Sequence, residues 1–407
     1  MSPPVAADDR LQDGLYFRSG ETPLPAFGLL LLDIRNGTRV DEARGALAQL
    51  WAMLGELRRG TVRDFRGEDG EPAVAFDAGG LSVLLGYGAR LWQNHEKHSP
   101  RLAGDDVRPR LPQLLQGPNR PFRALHWAPP EQQRRGEADL ALQLIGERGI
   151  TVDRAVVETW KLIHDEQLPL EIVAFHRGFQ RDDRRSWIDF HDGINNMSSS
   201  ERATAIVLRV PDPPWLEGGT FMAFLRIRVD LAAWRKLPRA HQEISVGRDK
   251  ISGWPLREVQ TGDGGALVPV PAGTVVPGDD TPREQLAAYR NPGHQSQLLA
   301  MSHIHRSNRN RGGPEQDANN RIYRQGYEFL EVTPDGRMEL GLNFVSFQRS
   351  TQRVTDILKD PGWQGDSNFG GPPPGQGEPQ VVLMELVAGG FYAVPPKGDP
   401  FPGAALF

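Results

Sequence analysis

The chain has 407 residues, 38% of them hydrophobic and 24% charged, with a net charge of −5 and no cysteine. That length exceeds one ordinary hydrophobic core and predicts two packed units, while the charge argues against a general nucleic-acid binder or a polybasic membrane surface. Without cysteine there are no disulfides, no Cys-ligated zinc, no iron–sulfur cluster and no thiolate-ligated haem, so any haem is held by His, Met or Tyr.

Residues 1–10 show no apolar core, twin arginine or cleavage-like site, so no signal peptide is expected and a cytoplasmic location is the default. The longest apolar run, 29–32, is too short to cross a bilayer. Residues 27–34 (FGLLLLDI), with a turn at Asn36-Gly37, predict a buried strand. Residues 41–57 place Leu47, Leu50, Trp51, Leu54 and Leu57 at helical spacing. Gly79-Gly80 opens a second strand, 81–85. Residues 100–135, rich in Pro, Arg and Gln, read as a surface excursion, and 137–147 and 152–163 as helices. Gly218-Gly219 opens a strand over 220–229, and Asp230 stands where an N-cap would start a helix at 231–236. Residues 257–300 lack periodicity and read as loop-rich. Residues 340–347, 381–386 and 391–394 read as strands, the last two separated by Gly389-Gly390, and 362–380 as a Gly/Pro-rich loop. Strand–helix–strand order in both halves predicts two α+β units with antiparallel sheets.

Three segments carry residues suited to chemistry. In Ser302-His303-Ile304-His305-Arg306 a histidine emerges from an apolar stretch. It is a core residue or a metal ligand; on a strand, His303 and His305 would face the same way and chelate one non-haem metal. Asp189-Phe190-His191-Asp192-Gly193-Ile194-Asn195-Asn196 is a turn by composition. Functionally it is an acid, Asp192, on a tight loop that Gly193 brings close to a ligand. Arg321-Ile322-Tyr323-Arg324-Gln325-Gly326-Tyr327 interleaves arginines with aromatics, as a solvated face or as a cation aimed at an anion. The clusters Arg181, Arg184, Arg185 and Arg306, Arg309, Arg311 hold one anionic ligand or solvate a loop.

Taken in order along about 380 residues, these segments resemble the dye-decolorising peroxidase family. Phe190, Asp192, Gly193 and Asn196 match its acidic loop. Ser302-His303-Ile304 through Asn308 is similar to its proximal segment, and Arg324-Gln325-Gly326-Tyr327 to its distal one. The separation of 21 residues (324 − 303) is of the size the family uses. Val246-Gly247-Arg248 through Leu256, Leu11 through Gly14, Gly86-Tyr87-Gly88, Gly219 through Trp234 and Gly389-Gly390-Phe391-Tyr392 resemble further motifs. Asp189 in place of the loop's first glycine, His305 in place of arginine, and Arg309-Asn310 depart from the pattern. The departure at Asp189 puts the loop backbone in question.

The resemblance implies two ferredoxin-like units with antiparallel sheets and peripheral helices, of the dimeric α+β barrel type, divided as 1–185 and a haem-binding 186–407. It implies one haem b (iron protoporphyrin IX) per chain with His303 as iron ligand. Asp192, Gly193, Asn196, Arg248 and Arg324 would contact the haem, and Asp192 and Arg324 would act on hydrogen peroxide. An organic reductant would supply electrons, with Trp187, Trp254, Tyr323 or Tyr327 as surface radical sites or, more plainly, core aromatics. No nucleic acid or membrane partner is expected, and the oligomeric state is open. Glu385 is the nearest candidate for a carboxylate hydrogen-bonded to His303. A haem-handling or iron-releasing protein, or a specialised biosynthetic haem oxidase, are the alternatives on the same scaffold.

Overall fold

The computed structural model describes residues 10–71, 74–92, 102–103, 136–194, 196–209, 213–273, 297–300, 302–308, 321–359 and 383–407. The predicted loop at 362–380 and most of the excursion at 100–135 lie outside them, as do Arg309, Asn310 and Arg311.

In the first half the order is β1 (Ala26–Ile34), α1 (Val40–Arg58), β2 (Ser82–Gly88), β3 (Leu140–Gly146), α2 (Gly149–Asp165) and β4 (Leu170–Phe179). A short helix, α3 (Ser199–Ala205), leads to the second half. There β5 (Thr220–Val229), α4 (Leu231–Lys236) and α5 (Arg239–Val246) precede a hairpin of β6 (Leu256–Thr261) and β7 (Leu267–Pro271). Then come α6 (Gln297–Ala300), α7 (His303–Asn308), β8 (Tyr323–Val332), β9 (Met338–Gln348), α8 (Thr351–Lys359) and β10 (Met384–Val394). Each half contributes four antiparallel strands, ordered β4-β1-β3-β2 and β10-β5-β9-β8. Both follow the ferredoxin-like pattern, in which the last strand lies beside the first. The sheets join edge to edge, β2 on β10 and β8 on β4, and close one eight-stranded barrel. Closure leaves the eight strands without an open edge.

Strand alternation sorts the core. Phe27, Leu29 and Leu31 of β1 point into the barrel, as do Met222 and Phe224 of β5. The intervening Leu30, Leu32 and Ile34 point out against Leu47, Leu50, Leu54 and Leu57 of α1. On the other side, Phe221, Ala223, Leu225 and Ile227 point out toward Trp234, Val354 and Leu358. Both faces of the sheet are therefore apolar, which is why β1 reads as a continuous hydrophobic run rather than an alternation.

Three expectations are corrected. Residues 140–146 are strand β3, not helix: ALQLI is too short for a helix, and its alternate residues face opposite layers. Residues 384–394 form one strand rather than two; Gly389-Gly390 stays in the ladder, and the irregularity is a register shift between Leu386 and Ala388. Within 257–300, the β6–β7 hairpin and α6 replace part of the expected loop.

Candidate functional site

Between the outer face of the second half's sheet and its helices lies a cleft of about 1730 Å³ of empty space, its open mouth included. Leu225, Ile227, Phe344 and Met384 form apolar wall, and His303, Asp192, Arg324 and Arg248 also line it.

Strand β8 carries one side of the site. Tyr323, Gln325, Tyr327 and Phe329 are fully buried or nearly so, and the alternate residues Arg324, Gly326 and Glu328 line the cleft. Arg324 is anchored by its backbone: its N–H donates to Asn196 Oδ1 (3.1 Å) and its carbonyl accepts from Asn196 Nδ2 (2.6 Å). Its guanidinium donates to the Ile194 carbonyl at 3.1 Å. Asn196 is thus a positioning residue, and it does not line the cleft.

The acidic loop folds over this strand. Asp192 N–H donates to the Arg184 carbonyl (3.0 Å), and Asp192 Oδ1 accepts from the Gly193 N–H (2.6 Å). Gly193 has φ +77° and Asp189 φ +66°. Asp189, the departure from the family's glycine, therefore adopts the left-handed conformation that glycine takes without strain, as Asp can. Gly326 makes room for the carboxylate: a Cβ there would lie 2.6 Å from Asp192 Oδ2. Arg185 holds the loop down by donating to the carbonyls of Asp189, Lys250 and Ile251 at 2.7, 2.7 and 2.9 Å. That cluster member ties a loop together.

His303 begins α7. Ser302 stands before it as the cap, its carbonyl accepting from Arg306 N–H (2.9 Å). The seat of this helix is Gly247, where α5 ends with φ +87°; a Cβ there would meet Ser302 Oγ at 2.6 Å and Ile304 Cγ1 at 2.7 Å. The surface His303 retains lines the cleft, while protein encloses the ring. Burial, with Arg324 and Arg248 nearby, drives its pKa down to about 3 and keeps the imidazole neutral. On a helix, His305 points roughly 200° away from His303, so the same-face chelate expected on a strand does not form. Among the described residues no group of three His, Asp or Glu side chains is arranged to hold a metal ion. Arg248 donates to the Gly253 carbonyl at 2.9 Å; burial, and then Arg324, lower its pKa to about 10. Glu385 pairs with Arg228 and does not line the cleft.

Residues 183–399 match the family model described as Dyp-type peroxidase, C-terminal. The chain belongs to the Dyp-type peroxidase family. Among curated proteins it is 26% identical to the deferrochelatase of Escherichia coli K12 over 172 residues, 41% of this chain and 35% of that protein. The chain thus spans about a third of the length of the curated relatives it matches. Its fold is similar to ferric DtpA from Streptomyces lividans (TM-score 0.65, 18% identity, covering 100% of this chain and 97% of that one). It also resembles a DyP-type peroxidase from Cellulomonas bogoriensis (0.62, 21%, covering 96% of each). The DypB D153A variant of Rhodococcus jostii in complex with heme gives 0.53 at 17% identity, covering 92% and 94%.

A haem fits this member of the family by the chemistry of its donors: a neutral imidazole, arginines that include Arg248 and Arg324, and an apolar wall around one cleft. Sequence reasoning missed Glu328, although the period-two alternation of β8 places it on the face of Arg324. Tyr323 and Tyr327 are fully buried, and the Trp187 indole donates to the Phe329 carbonyl at 2.9 Å.

Proposed function

We propose that the protein is a haem peroxidase that reduces hydrogen peroxide and oxidises organic substrates such as dyes and phenolics in one-electron steps. In this reading one haem b per chain is held by residues 186–407, packed on residues 1–185, and the enzyme works in the cytoplasm. His303 would ligate the haem iron, and Arg248 would offer a cation to the porphyrin carboxylates. The observation that carries it is the opening of a neutral His303, Asp192 and Arg324 onto one apolar cleft.

When bound, haem supplies the centre that holds peroxide and stores its two oxidising equivalents. The protein's own work is protonic and electrostatic. The Asp192 carboxylate accepts a proton from hydrogen peroxide and returns it to the departing oxygen. Arg324 presents a fixed positive charge where that oxygen gains negative charge, a contribution of about 3 kcal/mol, or roughly a hundredfold in rate. Asn196 grips the Arg324 backbone, so the charge is placed before reaction.

The test is spectroscopic. His303→Ala should lose haem and its Soret band, while Asp192→Asn and Arg324→Leu should keep haem but react with one equivalent of peroxide about a hundredfold more slowly. Retained haem with an unchanged spectrum in His303→Ala, or wild-type rates in both other variants, would reject the assignment. The match to deferrochelatase favours a second reading, a haem-handling, iron-releasing protein. Free iron appearing without any peroxide reaction would select it.

A further inference from the structure

Glu328 lies in the same cleft without a part in that mechanism. Its residue is 5% exposed, yet among the described residues it makes no ion pair. A carboxyl buried this deeply is costly when ionised without a cation. The residues opposite it on the flanking strands are apolar, Phe179 on β4 and Leu342 on β9. The Trp187 backbone N–H is its hydrogen-bond donor, and the charged groups it feels most are Asp192, from the acidic loop, and then Arg181, in the segment that precedes it. Arg324 shares its strand, and Arg248, His303, Arg321 and Arg353 line the rest of the cleft.

The placement is specific. Residues 324, 326 and 328 share one strand face, with alternate Cα atoms about 7 Å apart. Asp192 hangs over the gap left by Gly326, so it is flanked by Arg324 on one side and Glu328 on the other. Asp192 accepts from the Gly193 N–H; among the described residues Glu328 has no paired cation, and it feels the charge of the Asp192 carboxylate.

We propose that Glu328 and Asp192 form a carboxyl pair that holds one proton on Glu328, and that Glu328 is the group through which Asp192 exchanges protons with solvent. Two adjacent carboxyls resist double ionisation. Burial first, and the charge of Asp192 second, push the Glu328 carboxyl up to about 9, so it carries its proton at neutral pH.

The use of that proton rests on the peroxidase reading. For a phenolic reductant AH the balance is H2O2 + 2 AH → 2 H2O + 2 A•. The O–O bond breaks, and two electrons and two protons come from the reductant. Protons released outside the cleft must be replaced inside it to complete the waters. Glu328 gives its proton inward to Asp192 and regains one from the loop side, where the Arg181 side chain is 25% exposed.

Infrared difference spectroscopy across a pH titration of the whole protein tests the pair without peroxide. A protonated-carboxyl band should be present at pH 7, vanish near pH 9 and be missing in Glu328→Gln. In Asp192→Asn the same band should titrate about one pH unit or more lower. Absence of the band at pH 7, or a titration point unmoved in Asp192→Asn, overturns the pair. For the relay, steady-state turnover with a phenol should fall as pH rises through about 9. Glu328→Gln should lower the plateau about tenfold and abolish that limb, and Glu328→Asp should restore part of it. An unchanged plateau and limb in Glu328→Gln overturns the relay even where the pair is present. A wild-type protein inert to peroxide rejects the peroxidase reading and the relay with it; the infrared result then decides the pair alone.

Discussion

Asp189 shows how a single residue can depart from a family pattern and keep its geometry. Its φ of +66° would be strained for most side chains, and its contacts with Arg181 (3.7 Å) and Lys250 (3.6 Å) are exposed and weak. The conformation, not the charge, is therefore what the position requires. Asp189→Gly should change stability by less than about 1 kcal/mol, and Asp189→Val should cost about 1–2 kcal/mol, since a β-branched residue is poorly tolerated there. Denaturant unfolding of the two variants measures this, and equal losses would point to the charge instead. The case also shows what was legible. Asp192, Gly193, Arg248, His303 and Arg324 are readable as motif positions, and all five line one cleft. The role of Asn196 was not readable: its motif placed it at the ligand, but its amide grips the Arg324 backbone, 128 residues away. Only three-dimensional pairing reveals that contact.

At the scale of elements, the site depends on two close approaches. Helix α7 sits against the end of α5 because Gly247 has no side chain, and Asp192 sits against β8 because Gly326 has none. Gly326→Ala should leave the strand intact, since β8 is paired along its whole length with β9. It should nevertheless displace Asp192 and slow the peroxide reaction about tenfold to a hundredfold, with haem content unchanged. Gly247→Ala should act differently, shifting His303 and lowering haem retention. Haem content and single-turnover rates of both variants separate these effects; a normal rate in Gly326→Ala would show that Asp192 does not need that gap. The strands themselves were unevenly legible. β1, β5 and β9 read clearly from runs and alternation, whereas the sequence of β3 reads as helix. Its alternate residues, Leu140, Leu142 and Leu144 outward and Ala141 and Ile145 inward, meet two different apolar layers. A run buried on both faces loses the period that separates strand from helix.

At the scale of the whole molecule, the two sheets were legible as separate units from strand–helix–strand order, whereas their closure into one barrel was implied by the family resemblance alone. The seams rest on few pairings between distant segments: Gly88 and Tyr87 with Tyr392 and Ala393, and Phe179 with Glu328. The second seam places a buried carboxyl in the wall of the barrel, and this makes global stability depend on pH. In the unfolded chain Glu328 titrates near its ordinary value of 4.5, and in the fold near 9. Between those values the folded state binds the extra proton, so stability is full below about 4.5 and is lost as pH rises through about 9. Glu328→Gln cannot ionise. It should match the wild type near pH 4 and become progressively more stable than it toward pH 9, by about 1–3 kcal/mol after allowing for solvent relaxation around a buried charge. Urea unfolding of both proteins at a series of pH values measures the difference directly. The titrating groups that do not interact with Glu328 are common to both, so their contributions cancel in the comparison, and the difference reports Glu328 together with its coupling to Asp192. A difference that stays constant with pH would mean that Glu328 is already ionised in the folded barrel, and that its charge is met by a cation such as Arg181.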